Sequence, residues 1–217
     1  MTEPGYLGDT RAAYDVIAGE FAEWIRDELA TKPLDRAVLA AFAELAAGPV
    51  ADVGCGSGRI TAHLRSLGVD AFGIDLSPEM IAVARRTHPG VRFEVGSMTA
   101  LDLPAGSLGG LVAWYSVIHV PPADLPAVLA GFRRVLAPGG WLQLAFDVGD
   151  EPVHRDEVGG HRVSLDFHPR RVDRVAALLT EAGFEVRARL ERAPDDAGPF
   201  PETAPQAFVL ARRPQAS

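Results

Sequence analysis

Apolar residues recur at two different spacings along the chain, and the change of spacing divides it into parts. Over about 10–30 and again over about 33–47 they recur every three or four residues, which predicts two amphipathic helices. The first helix is expected to pack its apolar face on the core, and Trp24 is assigned to that core. From residue 49 onward, short apolar runs alternate with helical patterns, which favours parallel βαβ units with right-handed crossovers.

This alternation predicts five strands and four further helices. The strands are expected over 49–53, 69–74, 91–95, 111–116 and 141–146. The helices are expected over 59–67, 78–87, 124–136 and 170–182. Such an order of elements predicts a mainly parallel sheet.

The later part of the chain has a different pattern. Two strand-like runs, 183–192 and 206–213, are joined by a loop rich in Pro, Gly and acidic residues, with no helix between them. This predicts an antiparallel hairpin that closes one edge of the sheet. The segment 147–168 has weak periodicity and many polar residues, and it is predicted to form a lid or insertion after the fifth strand.

Charge and composition limit the expected partners. The 217 residues include 21 Lys and Arg against 29 Asp and Glu, a net charge of −8, and no run of Lys or Arg exceeds two residues. Because nucleic acids and anionic membranes attract basic surfaces, neither partner is expected. With no apolar stretch of about 20 residues, no leader-like N-terminal pattern and Cys55 as the single cysteine, the protein is expected to be cytoplasmic.

The first predicted strand ends in three alternating glycines, Gly54, Gly56 and Gly58. In an open parallel sheet, ligands bind beyond the carboxyl ends of the strands, and glycine lets the backbone approach a ligand closely. The segment is therefore interpreted as a turn that cradles a ligand in front of a helix N-terminus. A dinucleotide fingerprint, GxGxxG, would need its third glycine at position 59 or 61, where Arg59 and Thr61 stand.

The sequence of this turn, DVGCGSG, resembles the first motif of the class I S-adenosylmethionine-dependent methyltransferases. Later segments resemble the family's further motifs in the same order: GIDLSPEMI (73–81), VGSMTALDLP (95–104), LVAWYSVIHV (111–120) and RRVLAPGGWLQLAF (133–146). The resemblance implies S-adenosylmethionine as the cofactor. Together with the element pattern it implies an α/β fold, with a Rossmann-like seven-stranded mostly parallel sheet, a C-terminal antiparallel hairpin and N-terminal capping helices.

A single domain is expected over 1–217. Its parts are predicted as an N-terminal helical cap (1–48), a cofactor-binding core (49–146), a lid or insertion (147–168) and a C-terminal helix and hairpin (169–217). A core of this size with no basic face and no further recognition domain favours a compact acceptor pocket.

The resemblance assigns the nucleoside part of the cofactor to residues after the second and third strands. Asp75 is expected to accept hydrogen bonds from the ribose hydroxyls, the alternative being a helix cap. Leu76 and Met80 are expected beside the adenine, with core packing as the alternative. Ser97 stands where the family more often has Asp, but its hydroxyl can still accept a hydrogen bond, and the backbone N–H of Met98 is expected to meet a ring nitrogen.

The amino-acid end of the cofactor is expected at the glycine turn. Asp52, Gly54 and Gly56 are assigned to it, since an ammonium needs oxygen acceptors and a carboxylate needs N–H donors. Trp114 is expected beside the sulfonium, because aromatic faces attract cations, although burial in the strand is an equal alternative. Tyr14 is expected on a helix that folds over the cofactor, with packing of that helix on the sheet as its alternative.

His119 is the candidate general base, because an imidazole titrates near neutral pH; a structural histidine that bonds a loop is the alternative. A base is needed only when the acceptor must lose a proton, since the methyl group on a positive sulfur is already activated. His154, His161 and His168 match no tight metal-ligand spacing, so no metal is expected. Cys55 is interpreted as a small packing residue.

These observations predict transfer of a methyl group from S-adenosylmethionine to an oxygen, nitrogen or carbon of a small molecule, mainly by proximity and orientation. Two alternatives stay open. One is a nicotinamide-dependent oxidoreductase on a similar fold, and the other is a non-catalytic subunit that binds S-adenosylmethionine beside a partner. The sequence predicts neither the acceptor nor the oligomeric state.

Overall fold

The structure is a computed structural model that describes residues 4–215. Residues 1–3 of the predicted cap and residues 216–217 of the predicted C-terminal part lie outside the described residues. The helices are α1 (Gly5–Trp24), α2 (Glu28–Thr31), α3 (Pro33–Leu45), α4 (Arg59–Ser66), α5 (Pro78–Thr87), α6 (Leu125–Val135) and α7 (Val172–Glu181), with a single 3₁₀ turn at Val117–His119. The strands are β1 (Val50–Val53), β2 (Ala71–Asp75), β3 (Phe93–Val95), β4 (Leu108–Trp114), β5 (Leu136–Asp147), β6 (Val153–Val158), β7 (His161–Phe167), β8 (Glu185–Arg192) and β9 (Gln206–Arg212).

Seven strands form one sheet in the order β3-β2-β1-β4-β5-β9-β8. Strands β1 to β5 are parallel, and β9 pairs antiparallel with both β5 and β8. The strand order reverses between β1 and β4, and a crevice at such a switch point is where open α/β sheets bind ligands. The predicted fold class, including the antiparallel pair at one edge, is confirmed.

Hydrophobic side chains cover both faces of the sheet, because alternate residues of a strand point to opposite sides. On β4, Leu111 and Ala113 belong to one buried cluster and Val112 and Trp114 to another. The first cluster includes apolar residues of α6 and α7, and the second includes apolar residues of α3 and α4. The central strands are therefore buried on both sides, which fixes their carboxyl ends as a rigid edge.

The N-terminal region differs from its prediction. The first helix ends at Trp24 rather than near residue 30, and a separate short helix, α2, follows. The assignment of Trp24 to the core is wrong, since its side chain is 60% exposed. As the last residue of α1, Trp24 lies beyond the buried face of the helix, and its ring contacts those of Phe21 and Phe200 instead.

The fourth strand also ends earlier than predicted, at Trp114 rather than at residue 116. Tyr115 has a φ of 51°, in the left-handed region that non-glycine residues rarely adopt. This conformation turns the chain out of the sheet and into the 3₁₀ turn that carries His119. The bend therefore lies at the carboxyl edge, where strained residues are often functional.

The segment 147–168 contains an antiparallel hairpin of β6 and β7 that is separate from the main sheet. Its two strands are joined at Gly159 and Gly160, and most of β6 is exposed. Weak periodicity is the expected pattern for strands with little buried surface, so these two strands could not be predicted from the apolar pattern. Within residues 4–215, no helix combines the length and the apolar character needed to cross a membrane.

Candidate functional site

A single cavity with about 1000 Å³ of empty volume, its mouth included, lies at the carboxyl edge of the sheet. The structure brings all the residues that sequence reasoning assigned to a site to the wall of this cavity. They are Tyr14, Asp52, Gly54, Gly56, Asp75, Leu76, Met80, Ser97, Met98, Trp114 and His119.

The glycine turn forms one side of the cavity, and glycine is needed at positions 54 and 56 for different reasons. Gly54 has a φ of 77°, and a Cβ there would lie 2.2 Å from the Cβ of Ser116, so a larger residue would displace the neighbouring turn. Gly56 has a φ of 53° and no atom within 4 Å of where its Cβ would be. The backbone at Gly56 is therefore open to the cavity, as a turn that cradles a ligand requires.

Asp75 is bound to the backbone through both carboxylate oxygens. Its Oδ2 accepts from the N–H of Gly56 at 2.7 Å, and its Oδ1 accepts from the N–H of Ser77 at 2.9 Å. Burial raises the pKa of Asp75, while these two hydrogen bonds act in the opposite direction. Because each carboxylate oxygen can accept two hydrogen bonds, one position on each remains for a ligand hydroxyl. The N-cap of α5 is supplied by Ser77, whose Oγ accepts from the N–H of Met80 at 3.0 Å.

The residues expected around the adenine line the same side of the cavity. Met80 is 1% exposed and packs with Ala18 of α1. It therefore also belongs to the core, as the alternative interpretation of Met80 predicted. Ser97 is half-buried, and its hydroxyl is 2.7 Å from the hydroxyl of Thr99. The Ser97 oxygen also accepts from the Thr99 N–H at 3.2 Å, so this side chain shapes its own turn.

Asp52 is fully buried at the end of β1. Its Oδ2 accepts from the hydroxyl of Thr61 at 2.7 Å, whereas its Oδ1 has no hydrogen-bond partner within residues 4–215. Burial raises the pKa of Asp52 to about 7, and Thr61 and the guanidinium of Arg59 oppose that rise. A buried acceptor without a donor is costly, so this atom is a candidate to accept a hydrogen bond from a ligand.

Trp114 is 5% exposed and contacts the ring of Phe208 at a centroid distance of 5.3 Å. The side chain therefore serves the core, while part of it lines the cavity. The burial of Trp114 in the strand is confirmed, whereas its position beside a sulfonium stays a prediction.

Tyr14 and His119 meet inside the cavity, although 105 residues separate them. The Tyr14 hydroxyl is 2.8 Å from Nε2 of His119, and the carbonyl oxygen of Asp166 is 2.9 Å from Nδ1. A carbonyl can only accept, so Nδ1 carries the proton and Nε2 accepts from Tyr14. Burial lowers the pKa of His119 to about 4, so the imidazole is neutral at physiological pH.

Residues that sequence reasoning missed hold His119 in place. Arg170 is buried and donates through Nη2 to the carbonyls of Val117 and Val120, at 2.8 and 2.5 Å, on either side of the histidine. The ring of Phe167 contacts the imidazole at a centroid distance of 4.8 Å. Phe167 lies within the segment of weak periodicity, 147–168, and Arg170 follows it directly, so no local pattern pointed to either residue.

Helix α1 covers the cavity, and it contacts two other parts of the chain. Its Asp15 accepts from the hydroxyl of Ser77 at 2.5 Å, next to the end of β2. Its Glu20 lies 3.2 Å from Nε2 of His161 in the β6–β7 hairpin. The hairpin thus packs against α1, the helix that lines the cavity.

The remaining histidines and the cysteine have structural surroundings. His154 pairs with the carboxylate of Asp166 at 2.7 Å, and His161 pairs with Glu20. In the part of the chain that the structure describes, no three His, Cys, Asp or Glu side chains form a group able to hold a metal ion. Cys55 is buried, and burial raises the pKa of its thiol well above the ordinary value.

The donor and acceptor set of this cavity fits S-adenosylmethionine. The unpartnered Oδ1 of Asp52 suits an ammonium, the open backbone at Gly56 leaves room for a ligand against the turn, and Asp75 has free positions for two hydroxyls. The order of these groups along the edge follows the order of β1 and β2.

Comparison with known proteins agrees with this chemistry. Residues 50–140 match a family described as a methyltransferase domain. An O-methyltransferase of Pyrenophora dematioidea is 31% identical over 168 residues, which are 73% of this chain and 62% of that protein. The O-methyltransferase cnsE of Penicillium expansum is 34% identical over 146 residues, which are 63% of this chain and 52% of that protein. The chain thus spans between half and two thirds of the length of these curated relatives.

A similar fold occurs in a solved structure of a Burkholderia thailandensis 1,6-didemethyltoxoflavin-N1-methyltransferase with bound 1,6-didemethyltoxoflavin and S-adenosylhomocysteine. The TM-score is 0.74 over 99% of this chain and 92% of that chain, at 22% identity, which concerns the fold alone. The family match covers the glycine turn and the strands β2, β3 and β4. Residues 50–140 thus match a methyltransferase domain, and the chain resembles the class I S-adenosylmethionine-dependent methyltransferases in its sequence motifs and in its fold.

Proposed function

We propose that the protein transfers a methyl group from S-adenosylmethionine to an oxygen, nitrogen or carbon of a small-molecule acceptor. One observation carries the proposal: the N–H of Gly56 donates to Asp75 at 2.7 Å, which joins the glycine turn to the acid after β2. This hydrogen bond sets the backbone cradle and the hydroxyl-binding carboxylate side by side on one cavity. A nucleoside linked to an amino acid is the ligand that uses both.

In this proposal the cofactor lies along the strand ends. Asp75 binds the ribose hydroxyls, and Leu76 and Met80 flank the adenine, whose ring nitrogens face the turn of Ser97 and Met98. The amino-acid end lies at Asp52, Gly54 and Gly56. Trp114 lies beside the sulfur, and Tyr14 covers the cofactor from α1. The lining of one cavity by all these residues supports the assignment.

When bound, S-adenosylmethionine would supply a methyl group that is already electrophilic, so the chain's task is to hold the acceptor in line and exclude water. Helix α1 covers the cavity for this purpose, and the β6–β7 hairpin, the predicted lid, supports α1 from outside the cavity. Their attachment through Glu20 and His161 supports that role.

His119 is proposed to take a proton from an acceptor that must lose one. Its Nε2 has the lone pair free of a proton, because Nδ1 donates to Asp166. An acceptor hydroxyl would either replace the Tyr14 hydroxyl at Nε2 or pass its proton to Nε2 through Tyr14. Since burial lowers the pKa of His119 to about 4, the imidazole is a weak base and its contribution is smaller than that of orientation.

A small acceptor is supported by the relatives, which are named O-methyltransferases, and by the related fold in Burkholderia thailandensis, which is that of an N1-methyltransferase with bound 1,6-didemethyltoxoflavin. The proposal therefore leaves the methylated atom open among oxygen, nitrogen and carbon. Cytoplasmic residence and the absence of nucleic-acid and membrane partners stay predictions from the sequence.

Calorimetry followed by an acceptor screen tests the proposal. S-adenosylmethionine and S-adenosylhomocysteine are expected to bind, NAD and NADP are not, and methyl transfer is expected with one class in a panel of phenols, amines and carboxylic acids. Tight binding without turnover on a broad panel would favour the non-catalytic subunit. Binding of a nicotinamide cofactor instead would favour the oxidoreductase, and binding of neither would overturn the proposal.

A further inference from the structure

A groove lined by three arginines lies at the edge of the sheet opposite the candidate site. Seven of the described residues line it, among them Arg133, Arg134 and Arg213, and none of the seven is acidic. The arginine groove has about 650 Å³ of empty volume, its mouth included. Its walls are the loop before β4, the end of α6, the start of β5 and the residue after β9. None of the described residues lines both this groove and the cavity at the carboxyl edge.

Backbone carbonyls hold two of the guanidiniums in place. Arg134 donates through Nη1 to the carbonyl of Leu103 at 2.8 Å and through Nη2 to that of Leu101 at 2.6 Å. Arg133 donates through Nε to the carbonyl of Gly183 at 3.3 Å, and neither of its Nη groups has a hydrogen-bond partner within residues 4–215. Because a carbonyl has no net charge, these hydrogen bonds fix each guanidinium without neutralising it.

Arg213 is held in the same way at the end of α6. Its Nη1 donates to the carbonyls of Arg133 and Leu136, at 3.0 and 2.5 Å, while its Nε and Nη2 have no partner among the described residues. The N–H of Gly106 donates to the carbonyl of Arg134 at 2.9 Å. Carbonyls at a helix C-terminus attract cations, which explains the contacts of Nη1. It leaves the other donors of Arg133 and Arg213 without an explanation.

No carboxylate neutralises the three arginines. In the part of the chain that the structure describes, no Asp or Glu oxygen lies within 4.0 Å of their guanidinium nitrogens. Arg192, by contrast, lies between Asp35 at 3.2 Å and Glu202 at 2.8 Å. Carboxylates are not scarce, since the chain has 29 acidic residues against 21 Lys and Arg. Because like charges repel, a cluster of cations without an acid favours an anion from solution.

We propose that Arg133, Arg134 and Arg213 form a binding site for a small oxyanion of the phosphate class. The unpartnered Nη groups of Arg133 and the Nε and Nη2 of Arg213 donate to the anion's oxygens, and the exposed Arg134 adds a third positive charge. The planar fork of a guanidinium matches a pair of phosphate oxygens. This inference goes beyond the proposed function and does not depend on it.

The surroundings of the arginine groove favour a small anion over a nucleic acid. The net charge of −8 repels an extended polyanion, and the three arginines supply only three positive charges against it. The other four lining residues carry no charge; they are Ala105, Gly106, Ala130 and Pro138. Inorganic phosphate and the phosphate group of a small metabolite share the required chemistry, so both are probes for the site.

Isothermal titration calorimetry with inorganic phosphate and with glycerol 3-phosphate tests the site. At constant ionic strength, with chloride as the other anion, one site with a dissociation constant of about 1 mM or lower is expected, because several charge-assisted hydrogen bonds form. Tighter binding of glycerol 3-phosphate would identify a phosphorylated small molecule as the ligand class. Equal or tighter binding of inorganic phosphate would identify the free anion.

Substitutions of single arginines locate the bound anion. Arg213→Met is expected to weaken phosphate binding at least about 10-fold, because it removes a charge and the free donors. Arg133→Lys keeps the charge but loses the planar fork, so a loss of about 3-fold or more is expected. The matched control, Arg189→Met, removes the same charge from an exposed side chain that pairs with Asp173, and its affinity is expected to stay within about twofold. If thermal unfolding without phosphate shows that Arg213→Met does not fold, Arg134→Met replaces it.

Each result either supports or overturns the site. Wild-type binding that is weakened in Arg213→Met and kept in Arg189→Met supports it. No binding by the wild type at about 10 mM phosphate, or an unchanged affinity of Arg213→Met, overturns it and leaves the arginines with the stabilisation of α6 alone. An equal loss in Arg189→Met, or an unchanged affinity of Arg133→Lys, also overturns it, since diffuse attraction by positive charge then explains the binding. None of these results bears on methyl transfer.

Discussion

The two halves of the cavity are built in different ways. The half around the glycine turn comes from consecutive strands, and its key hydrogen bond joins residues 19 positions apart, Gly56 and Asp75. The half under α1 joins Tyr14 to His119 across 105 positions and His119 to Asp166 across 47. Contacts between residues close in sequence can be predicted from a sequence pattern, and contacts between distant residues cannot.

The two halves also differ in charge. Asp52 and Asp75 are buried carboxylates whose pKa values burial raises, next to the cation of Arg59. On the other side, His119 is neutral, and burial raises the pKa of Tyr14, so its phenol stays protonated. The first half therefore holds the buried carboxylates, whereas Tyr14 and His119 form an uncharged pair in the second.

The largest expected effect concerns the local half. Asp75→Ala is expected to weaken S-adenosylhomocysteine binding by at least about 100-fold, because two hydrogen bonds to a charged group, each worth about 1.5–3 kcal/mol, are lost. Calorimetry measures it. The control is Asp70→Ala, which alters a carboxylate whose side chain is 77% exposed just before β2. An unchanged affinity of Asp75→Ala would show that the ribose lies elsewhere.

The next effect concerns the long-range half. His119→Ala is expected to lower kcat by about 10- to 100-fold, the usual contribution of a weak general base, and to leave S-adenosylhomocysteine affinity within about threefold. Steady-state kinetics with an acceptor from the screen separates kcat from KM. His154→Ala, which removes an exposed imidazole, serves as the control. An unaltered rate would mean that His119 has a structural role and that the half of the cavity under α1 contains no general base.

The sequence predicted the local half more fully than the distant one. The pattern of Gly54, Gly56 and Asp75 depends on strand ends and turns, which leave a local signature. The partners of His119 do not, because Asp166 contributes a backbone carbonyl that any residue could supply. Arg170 likewise acts on carbonyls of a turn 50 positions away. For Trp24, helical spacing correctly indicated a helix but could not show where its buried face ended.

A smaller effect is expected from pH. Affinity for S-adenosylhomocysteine is expected to fall about 10-fold from pH 8 to pH 6, because the pKa of Asp52 in the free protein is about 7 and its protonated form cannot pair with an ammonium. The groups that act on Asp52 are Thr61 and Arg59 of α4 and Asp75 of β2. His119, with its pKa near 4, stays neutral throughout this range.

Calorimetric titrations at a series of pH values measure this slope. Asp52→Asn removes the titrating group, so it is expected to bind more weakly with little dependence on pH. If affinity changed equally with pH in the wild type and the variant, the pH dependence would belong to a group other than Asp52. This result would weaken the contrast between the carboxylates of one half and the uncharged Tyr14 and His119 of the other.

The smallest effect is expected for Trp24, the last residue of the helix that covers the cavity. Trp24→Ala should change the free energy of unfolding by no more than about 1 kcal/mol, since the side chain is 60% exposed, whereas the buried Phe132→Ala should cost about 3–5 kcal/mol. Urea unfolding compares the two. A loss of several kcal/mol in Trp24→Ala would mean that α1 depends on this contact with Phe200 more than its exposure indicates.

The most direct test of the account is a crystal structure of the protein with S-adenosylhomocysteine. The two ribose hydroxyls are expected within hydrogen-bond distance of the Asp75 carboxylate, with the amino-acid end at Asp52, Gly54 and Gly56. A nucleoside bound away from Asp75, or an amino-acid end that does not reach the glycine turn, would contradict the proposed function.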